Sequence, residues 1–326
     1  MINIITIDFS KIRGPGKVVN NLIKGLDEIK YPYVINKDIN ATKRCYIPNR
    51  LLALLKLQKA KSKVIVGPNL FVLPDEIPSY VKLRDTIYLQ PSQWTLELWN
   101  MLGFNRALLK VWPTGIDTDS FYPVHQSNKK ITIYNKKRSI HELEQVETTL
   151  QQMGLDYHKV IYGNYDEQEY RNILKSTSFI IWHGCHESQG IALQEALASG
   201  VPVLVLDVKS LFEQVPCPRL PSRIRAFEVT SAPYFDNRCG IKTKDINTLR
   251  QSIEFMMDNL KSFRPREFIL ENLSLAKQAN ELVKLYEHYG LSTEDGYDEK
   301  PMSNNEYSDG IVGKIIHMFI TLRKLL

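Results

Sequence analysis

The sequence has few cysteines and no long hydrophobic run. Its four cysteines, Cys45, Cys185, Cys217 and Cys239, form no C-x-x-C pair. This spacing argues against a structural zinc site and against a disulfide framework, so we expect reduced thiols. No stretch reaches the roughly 20 apolar residues that a membrane-spanning helix needs. The opening residues, MINIITIDFS, lack the basic and apolar regions of a signal peptide. We therefore expect a protein that stays on the cytoplasmic side of the membrane.

The sequence also lacks a dense basic stripe interleaved with aromatic residues, which argues against nucleic-acid binding. The net charge of +6, from 42 basic and 36 acidic residues, is mild. By itself this charge fits an anionic small ligand, a nucleic acid or an acidic membrane surface. At 326 residues, with 43% hydrophobic and 24% charged residues, the chain has the length and composition of a globular protein with two domains.

The most informative stretch is 186–200, which reads HESQGIALQEALASG. It places Glu187 and Glu195 on either side of a predicted loop-to-helix junction. If the helix starts near Gly190, the backbone N–H groups of its first turn have no partner within the helix, and the helix dipole is positive there. Helix starts of this kind bind phosphate. The sequence therefore predicts an anion site near two carboxylates, one able to hold a sugar and the other a ribose.

Two apolar runs of strand length flank this stretch, at 178–182 (SFIIW) and 201–207 (VPVLVLD), and Gly200 fits the position that ends a helix. The order strand, loop, helix, strand is half of a doubly wound sheet, in which ligands bind beyond the carboxyl ends of the strands. Further strands are predicted at 2–9, 63–67, 86–89, 130–134, 159–162 and 226–229. Helices are predicted at 17–29, within 91–104, and at 140–153, 168–175, 246–260 and 265–289.

Several motifs permit two interpretations. The cluster Lys136, Lys137 and Arg138 follows a predicted strand, and either forms a solvated turn or binds a diphosphate. Gly14 and Gly16 lie between the first strand and helix, in an incomplete G-x-G-x-x-G pattern that is a tight turn or a ligand loop. Tryptophans at core spacing in the helix within 91–104 favour core packing over sugar stacking.

The carboxyl-terminal part has a different composition from the rest. Residues 291–309 are polar and acidic, as in a flexible linker. Residues 310–326, GIVGKIIHMFITLRKLL, predict a basic amphipathic helix. This helix either packs on the protein or a partner, or lies in a membrane interface with its cations toward anionic lipid. The loose acidic linker favours the membrane slightly.

Three motifs together carry a family resemblance. They are the E-x7-E pair of Glu187 and Glu195, the ALASGVPVLVLD that follows, and PTGIDTDSFYP at 113–123, which is similar to an N-G-V-D-x-x-x-F-x-P interdomain linker. On these residues the chain resembles a GT-B glycosyltransferase of the glycosyltransferase family 4 kind, most strongly over 130–260. The resemblance implies an α/β fold with two Rossmann-like doubly wound domains facing a cleft. The implied regions are an acceptor-side domain at 1–121, a nucleotide-sugar domain at 122–264, closing helices at 265–290, the linker at 291–309 and the amphipathic helix at 310–326.

The resemblance also implies roles for residues of this chain. Glu195 would bind the ribose hydroxyls and Glu187 the donor sugar. Gly163 and Tyr165 lie where the base stacks in such enzymes. Asn69 is not part of the family pattern; its position at a predicted strand end makes it our candidate for the acceptor-side contact. The diphosphate would meet the backbone of Ser188, Gln189, Gly190, Ile191 and Ala192 and a basic residue from Lys136, Lys137 and Arg138, while Gly14 and Gly16 match the family's glycine loop near the acceptor and phosphates.

The implied activity is a retaining transfer of a hexose from a nucleoside diphosphate sugar to a hydroxyl of a glycan or lipid-linked acceptor. Glu187, Lys137 and Arg138 would be the catalytic groups, and neither a cofactor nor a bound metal is expected. Members of this family often carry a histidine in the amino-terminal domain, whereas the first histidine here is His125. An inactive sugar-nucleotide-binding or scaffold protein is therefore the alternative. A two-carboxylate glycosidase ranks lower, because Glu195 is on the ribose side. His183 and His186 are expected to be structural.

Overall fold

The computed structural model describes residues 1–7, 14–68, 70–83, 85–124, 129–216, 224 and 227–287. These residues divide into two units. The first contains the described residues of Met1–Pro91, Thr95–Trp112 and the chain from Ala279 onward, and the second contains Ser92–Trp94 and Pro113–Gln278. The linker motif at 113–123 thus belongs to the second unit, whereas the expected boundary followed residue 121. The predicted linker at 291–309 and helix at 310–326 lie outside the described residues.

The described residues form two parallel sheets and nine α-helices. The strands are β1 (Ile2–Ile4), β2 (Tyr33–Ile35), β3 (Arg44–Ile47), β4 (Lys63–Val66), β5 (Ile87–Gln90), β6 (Leu108–Val111), β7 (Lys130–Lys136), β8 (Tyr157–Ile161), β9 (Thr177–Gly184), β10 (Val203–Leu206) and β11 (Gly240–Thr243). The helices are α1 (Pro15–Glu28), α2 (Leu51–Leu54), α3 (Gln93–Met101), α4 (Ile140–Gln152), α5 (Glu167–Lys175), α6 (Ile191–Ala198), α7 (Leu249–Asn259), α8 (Pro265–Leu273) and α9 (Leu275–Leu285).

The first unit is built on a six-stranded sheet in the order β2-β1-β3-β4-β5-β6, with every pair parallel. Parallel sheets are covered on both faces, which explains why central strands such as β4 and β5 are apolar and buried. Helix α1 begins at Pro15 after Gly14, whose φ of 47° places it in the left-handed region. Proline suits the first helical position because its missing N–H has no partner there in any case. Gly16, predicted in a loop, is therefore the second residue of α1.

The second unit is built on a five-stranded parallel sheet in the order β11-β10-β9-β7-β8. From β7 the chain goes to β8 on one side of the sheet and then to β9 on the other. The strand order therefore reverses between β7 and β9, and such a reversal opens a crevice at the carboxyl ends of the two strands. This point in the fold lies directly before the 186–200 stretch.

The side chains of the second sheet alternate between two cores. On β7, Ile131 and Ile133 pack with α4 and α7, while Tyr134 faces the other way and packs with α5, α6 and α8. Tyr134 stacks on Trp182 of β9, with ring centroids 4.1 Å apart and planes 5° apart. This alternation is expected of neighbouring residues on a strand, and it gives the unit three layers.

Two predicted elements are wrong. Residues 227–229 form no strand, and the edge strand next to β10 is β11 instead. The segment GIKT has a glycine and a lysine and pairs with only one neighbour, so it lacks the apolar pattern of a central strand. The helical pattern at 265–289 is broken at Ser274, which takes an extended conformation and forms a β-bridge with Ile116.

Within the described ranges, no helix is long and apolar enough to cross a membrane.

Candidate functional site

Two oppositely charged side chains meet at the crevice between β7 and β9. Lys136 is the last residue of β7, and Glu187 lies in the loop that joins β9 to α6. The Lys136 Nζ is 2.6 Å from Glu187 Oε1, and the two side chains are only 18% and 11% exposed. Sequence reasoning placed Lys136 after the strand. Its position on the strand directs its side chain into the crevice rather than into a turn.

The environment of Lys136 keeps it charged. Burial lowers its pKa, but the carboxylate of Glu187 opposes this, and the net direction is a raised pKa. The ammonium group also lies 4.5 Å from the ring centroid of Tyr162, within the range of a cation–π interaction. The crevice therefore holds a fixed cation beside a fixed carboxylate.

The main chain of Glu187 is held on both sides. Its N–H donates to the carbonyl of Thr230 at 3.1 Å. Its carbonyl accepts from Nε1 of Trp94 at 3.0 Å. Trp94 was expected in the core with Trp99. Trp99 is there, at 1% exposure, but Trp94 is a hydrogen-bond donor to this loop.

Asp207, directly after β10, fixes the segment that supports Glu187. Its carboxylate accepts hydrogen bonds from the Thr230 hydroxyl at 2.8 Å and from the Ser231 N–H at 2.6 Å. It also accepts from the Ser231 hydroxyl at 3.0 Å and from the Val208 N–H at 2.9 Å. Asp207 thus positions Glu187 through Thr230. Sequence reasoning missed this role, although the position of Asp207 at a predicted strand end was a usable signal.

Helix α6 begins where the sequence predicted. Gly190 is its N-cap residue and has a φ of 82°. At this φ the backbone of any L-residue with a side chain is strained. Glycine is therefore required where the loop turns into the helix. The N–H groups of the first turn after Gly190 have no intrahelical partner, and they form a positive helix terminus next to Glu187. Of the residues expected around it, Ser188 is exposed and Ile191 and Ala192 are half-buried.

The side chain of Gln189 has a structural role. Its Oε1 accepts from the Thr114 N–H at 3.0 Å, and its Nε2 donates to the Thr114 carbonyl at 2.9 Å. The Nε2 also lies 3.0 Å from Oε1 of Gln194. These bonds join the linker motif at 113–123 to the start of α6. Gln189 can therefore meet a ligand only through its backbone.

Glu195 is buried on α6, at 3% exposure. The neighbouring aromatic residues come from α5 and the loop after β8. Tyr170 donates its hydroxyl hydrogen bond to the Ala192 carbonyl at 2.9 Å. The hydroxyl of Tyr165 is 2.6 Å from that of Tyr134, so its ring packs against the core. Gly163 is exposed, with a φ of 92°.

The other two cations of the cluster differ from Lys136. Arg138 is almost fully buried, with a side-chain exposure of 6%. Its guanidinium donates to Glu142 at 3.0 Å and to the Leu206 carbonyl at 3.2 Å. Its donors therefore tie β10 to α4, which leaves Arg138 as a support for the crevice. Lys137 is exposed and has a φ of 53°.

The two histidines next to the site are neutral at physiological pH. His183 lies 2.9 Å from Asn135 Oδ1 and 3.3 Å from Glu142 Oε2, and burial lowers its pKa. His186 has a buried Nδ1 without a hydrogen-bond partner among the described residues. Burial, with the charges of Lys136 and Lys137, lowers the His186 pKa to about 4.

The remaining predicted residues lie elsewhere. Gly14 and Gly16 belong to the first unit. Asn69 lies outside the described residues. Within the part of the chain that the structure describes, no group of three or more His, Cys, Asp or Glu side chains is arranged to hold a metal ion. The expectation of metal-independent chemistry stays a prediction.

No protein-family model and no curated protein matches the sequence. Solved structures do match. Sucrose-phosphate synthase from Thermosynechococcus elongatus has a TM-score of 0.57 and 10% identity over 88% of this chain and 98% of its own. Anabaena HepE, in complex with UDP and glucose, has a TM-score of 0.55 and 10% identity over 88% and 99%. The catalytic domain of starch synthase IV from Arabidopsis thaliana, bound to ADP and acarbose, has a TM-score of 0.56 and 11% identity over 88% and 99%. At these identities the likeness shows the fold, and the fold of this chain is GT-B, with two parallel-sheet α/β domains.

Proposed function

We propose that this protein is a glycosyltransferase that moves a sugar from a nucleoside diphosphate sugar to a hydroxyl group of an acceptor. The observation that carries the proposal is the buried Lys136–Glu187 pair at the strand-order reversal, directly before the positive start of α6. A sugar nucleotide has a diphosphate that needs cations and N–H donors, and two sets of hydroxyls that need carboxylates. The crevice offers both kinds of group within one short segment.

The proposed roles follow from these positions. Glu187 accepts hydrogen bonds from the donor sugar, since Lys136 contacts its Oε1 and its main chain is fixed. The N–H groups after Gly190 bind the diphosphate, and Lys136 and the exposed Lys137 neutralise it. Glu195 binds the ribose hydroxyls. Arg138 and Asp207 position these groups without touching the substrate.

The proposed reaction proceeds with retention of configuration. The bond from the sugar C1 to the diphosphate oxygen breaks, and a bond from C1 to the acceptor oxygen forms on the same face of the sugar. The acceptor hydroxyl loses its proton to the leaving diphosphate, so no protein nucleophile is required. Charge builds up on the leaving diphosphate in the transition state, and the preorganised cation and helix terminus stabilise it there without a metal ion.

The contents of the matching structures support a nucleotide and a carbohydrate as ligands. HepE was solved with UDP and glucose, and starch synthase IV with ADP and acarbose. We propose that the donor here is likewise a nucleoside diphosphate sugar and the acceptor a glycan or lipid-linked sugar.

A thermal-shift panel of UDP, GDP, ADP and CMP sugars tests the donor. A ligand present at 100 times its Kd stabilises the folded chain by about 2.7 kcal/mol, which raises the Tm of a unit of this size by about 5–10 °C. We expect one base to produce this shift. Glu195→Gln should abolish it, whereas Glu144→Gln, at an exposed position of α4, should not.

Turnover is measured separately, as release of nucleoside diphosphate from the stabilising sugar nucleotide in the presence of candidate acceptors. Release without cleavage of simple glycosides supports transfer. The proposal fails if no sugar nucleotide shifts the Tm, or if Glu195→Gln binds the nucleotide as tightly as the parent chain does.

A further inference from the structure

The two histidines beside the site differ in their partners. His183 has a partner at both ring nitrogens, Asn135 at 2.9 Å and Glu142 at 3.3 Å. The ring of His186 forms no hydrogen bond with the residues that the structure describes, and its Nδ1 is buried. A buried polar atom without a partner is costly, so its presence in a folded protein needs an explanation. The sequence predicted a structural role for both rings, and these contacts support that role only for His183.

His186 lies in the crevice of the proposed donor site. Its ring meets the ring of Trp94 edge to face, with centroids 6.0 Å apart and planes 86° apart. Besides burial, the charges of Lys136 and Lys137 lower the pKa of His186, which shows that both cations act on the ring. The next residue of the same loop, Glu187, has its carboxylate paired with Lys136 at 2.6 Å. The ring is thus placed among an aromatic edge and two cations, an environment that an anionic ligand would change.

The ring of His186 can turn toward such a ligand. No hydrogen bond from the described residues fixes its orientation about the Cβ–Cγ bond. This torsion is broad and roughly two-fold in histidine, and a half-turn exchanges the positions of Nδ1 and Cδ2. Because the residue is half-buried rather than enclosed, this half-turn is the movement that brings Nδ1 to a ligand in the crevice.

The charges of the crevice leave room for one more cation. The diphosphate of a sugar nucleotide carries about two negative charges, one for each phosphate. Lys136 is already neutralised by Glu187, and the guanidinium of Arg138 is used by Glu142. The exposed Lys137 supplies one positive charge, and the start of α6 supplies about half of one. About half a charge stays unbalanced, and a protonated imidazole would supply it.

We propose that His186 binds the diphosphate of the sugar nucleotide through Nδ1 and takes up a proton from solvent as it does so. This inference rests on the proposed function and adds a residue to the proposed donor site. The proton adds to the ring nitrogen that carries none in the neutral imidazole, and Nδ1–H donates to a non-bridging phosphate oxygen. When the nucleotide leaves, the proton returns to solvent.

Proton uptake makes donor binding tighter at low pH. Without ligand, burial and the two lysines lower the His186 pKa to about 4, and the negative diphosphate opposes this shift. With the bound ring at its ordinary pKa of 6.5, the gain in affinity is complete below pH 4 and is lost as the pH rises through 6.5. The Kd should therefore fall about ten-fold from pH 8 to pH 5.5. The Cys185 thiol, 3.5 Å from the His186 carbonyl, does not contribute, because burial raises its pKa.

The test is isothermal titration calorimetry of the full chain with UDP-glucose, ADP-glucose or GDP-mannose, whichever raises the Tm most. Each titration is repeated in buffers with different ionisation enthalpies, and the dependence of the binding enthalpy on the buffer gives the number of protons taken up. These ligands are diphosphate diesters, so they lack the phosphate pKa of about 6 that a monoester has. The parent chain should take up about 0.8 protons per nucleotide at pH 6, and almost none at pH 8.

Three variants assign the proton. His186→Gln keeps a polar side chain but cannot gain a charge, so it should abolish the uptake and bind about ten-fold more weakly than the parent at pH 5.5. His186→Arg supplies a fixed positive charge, and its binding at pH 8 should be as tight as that of the parent at pH 5.5. His141→Gln is the matched control, because His141 is an exposed histidine of α4. It should take up protons as the parent does.

The possible failures separate this inference from the proposed function. Nucleotide binding without proton uptake in the parent chain overturns the inference and leaves the proposed function intact, and this measurement needs no variant to fold. Uptake that persists in His186→Gln assigns the proton to another group, such as His183, and also overturns the inference. If none of the sugar nucleotides binds, the proposed function and the inference fail together.

Discussion

Replacing Lys136 by methionine should destabilise the second unit by about 3 kcal/mol. The substitution leaves the carboxylate of Glu187, 11% exposed, without the ammonium group that lies 2.6 Å away. Removing one partner of a buried pair typically costs about 3–5 kcal/mol, because the other charge stays buried and unpaired. The lower end applies here because both side chains keep some exposure, 18% for Lys136 and 11% for Glu187.

A double-mutant cycle isolates the pair. Glu187→Leu should also destabilise, by a smaller amount, because the Lys136 ammonium keeps its contact with the Tyr162 ring. Lys136→Met with Glu187→Leu buries no isolated charge, so its cost should be less than the sum of the two single costs by about 2 kcal/mol.

The assay is urea unfolding followed by circular dichroism, with m-values compared among the variants. Lys130→Met is the control. Lys130 lies 3.3 Å from Asp156, but the side chains are 45% and 82% exposed. Loss of such a surface pair should cost no more than about 1 kcal/mol. The reasoning is refuted if the costs of the two single variants sum to the cost of the double variant within about 0.5 kcal/mol. Additive costs mean that the two charges do not interact.

Three further predictions concern the surroundings of this pair. Gly190→Ala should cost about 1–2 kcal/mol in stability, because the φ of 82° is strained for alanine, and it should weaken nucleotide binding as measured by calorimetry. Asp207→Ala removes the acceptor of the Thr230 and Ser231 bonds; we expect it to lower kcat more than it raises KM, because Glu187 loses its support while the nucleotide contacts remain. Because burial holds the His186 pKa at about 4 rather than 6.5, the unfolded chain takes up a proton between pH 7.5 and 5 while the folded chain does not. His186 should therefore contribute a loss of about 2 kcal/mol of stability over that range, and His186→Asn should remove this part of the pH dependence in unfolding titrations; an unchanged dependence would show that the ring is not buried neutral.

Local patterns predicted the part of the fold around the site. The run from Ile191 to Ala198 is rich in helix formers and bounded by glycines, so the start and end of α6 were readable from the sequence. The strands β7, β9 and β10 are apolar runs of the right length, and they were predicted with errors of a few residues at their ends. One such error mattered, because it placed Lys136 after the strand instead of on β7.

Long-range contacts determine what the sequence did not predict. The bond from Glu187 to Thr230 and the bonds of Asp207 join segments far apart in the chain, and no local pattern reports them. The assignment of Arg138 as a diphosphate ligand stays untested, and its bonds to Glu142 and to the Leu206 carbonyl favour a supporting role. Short strands such as β2 and β11 were missed because their stability comes from neighbouring strands rather than from their own composition.

The measurement that tests the proposed donor site most directly is a crystal structure of the chain grown with the sugar nucleotide that stabilises it most. Phosphate oxygens should lie about 3 Å from the backbone nitrogens of the first turn of α6, with the ribose hydroxyls at Glu195 and the sugar at Glu187. A nucleotide bound elsewhere on the chain, with the Lys136–Glu187 crevice unchanged and closed to it, would contradict the proposed donor site.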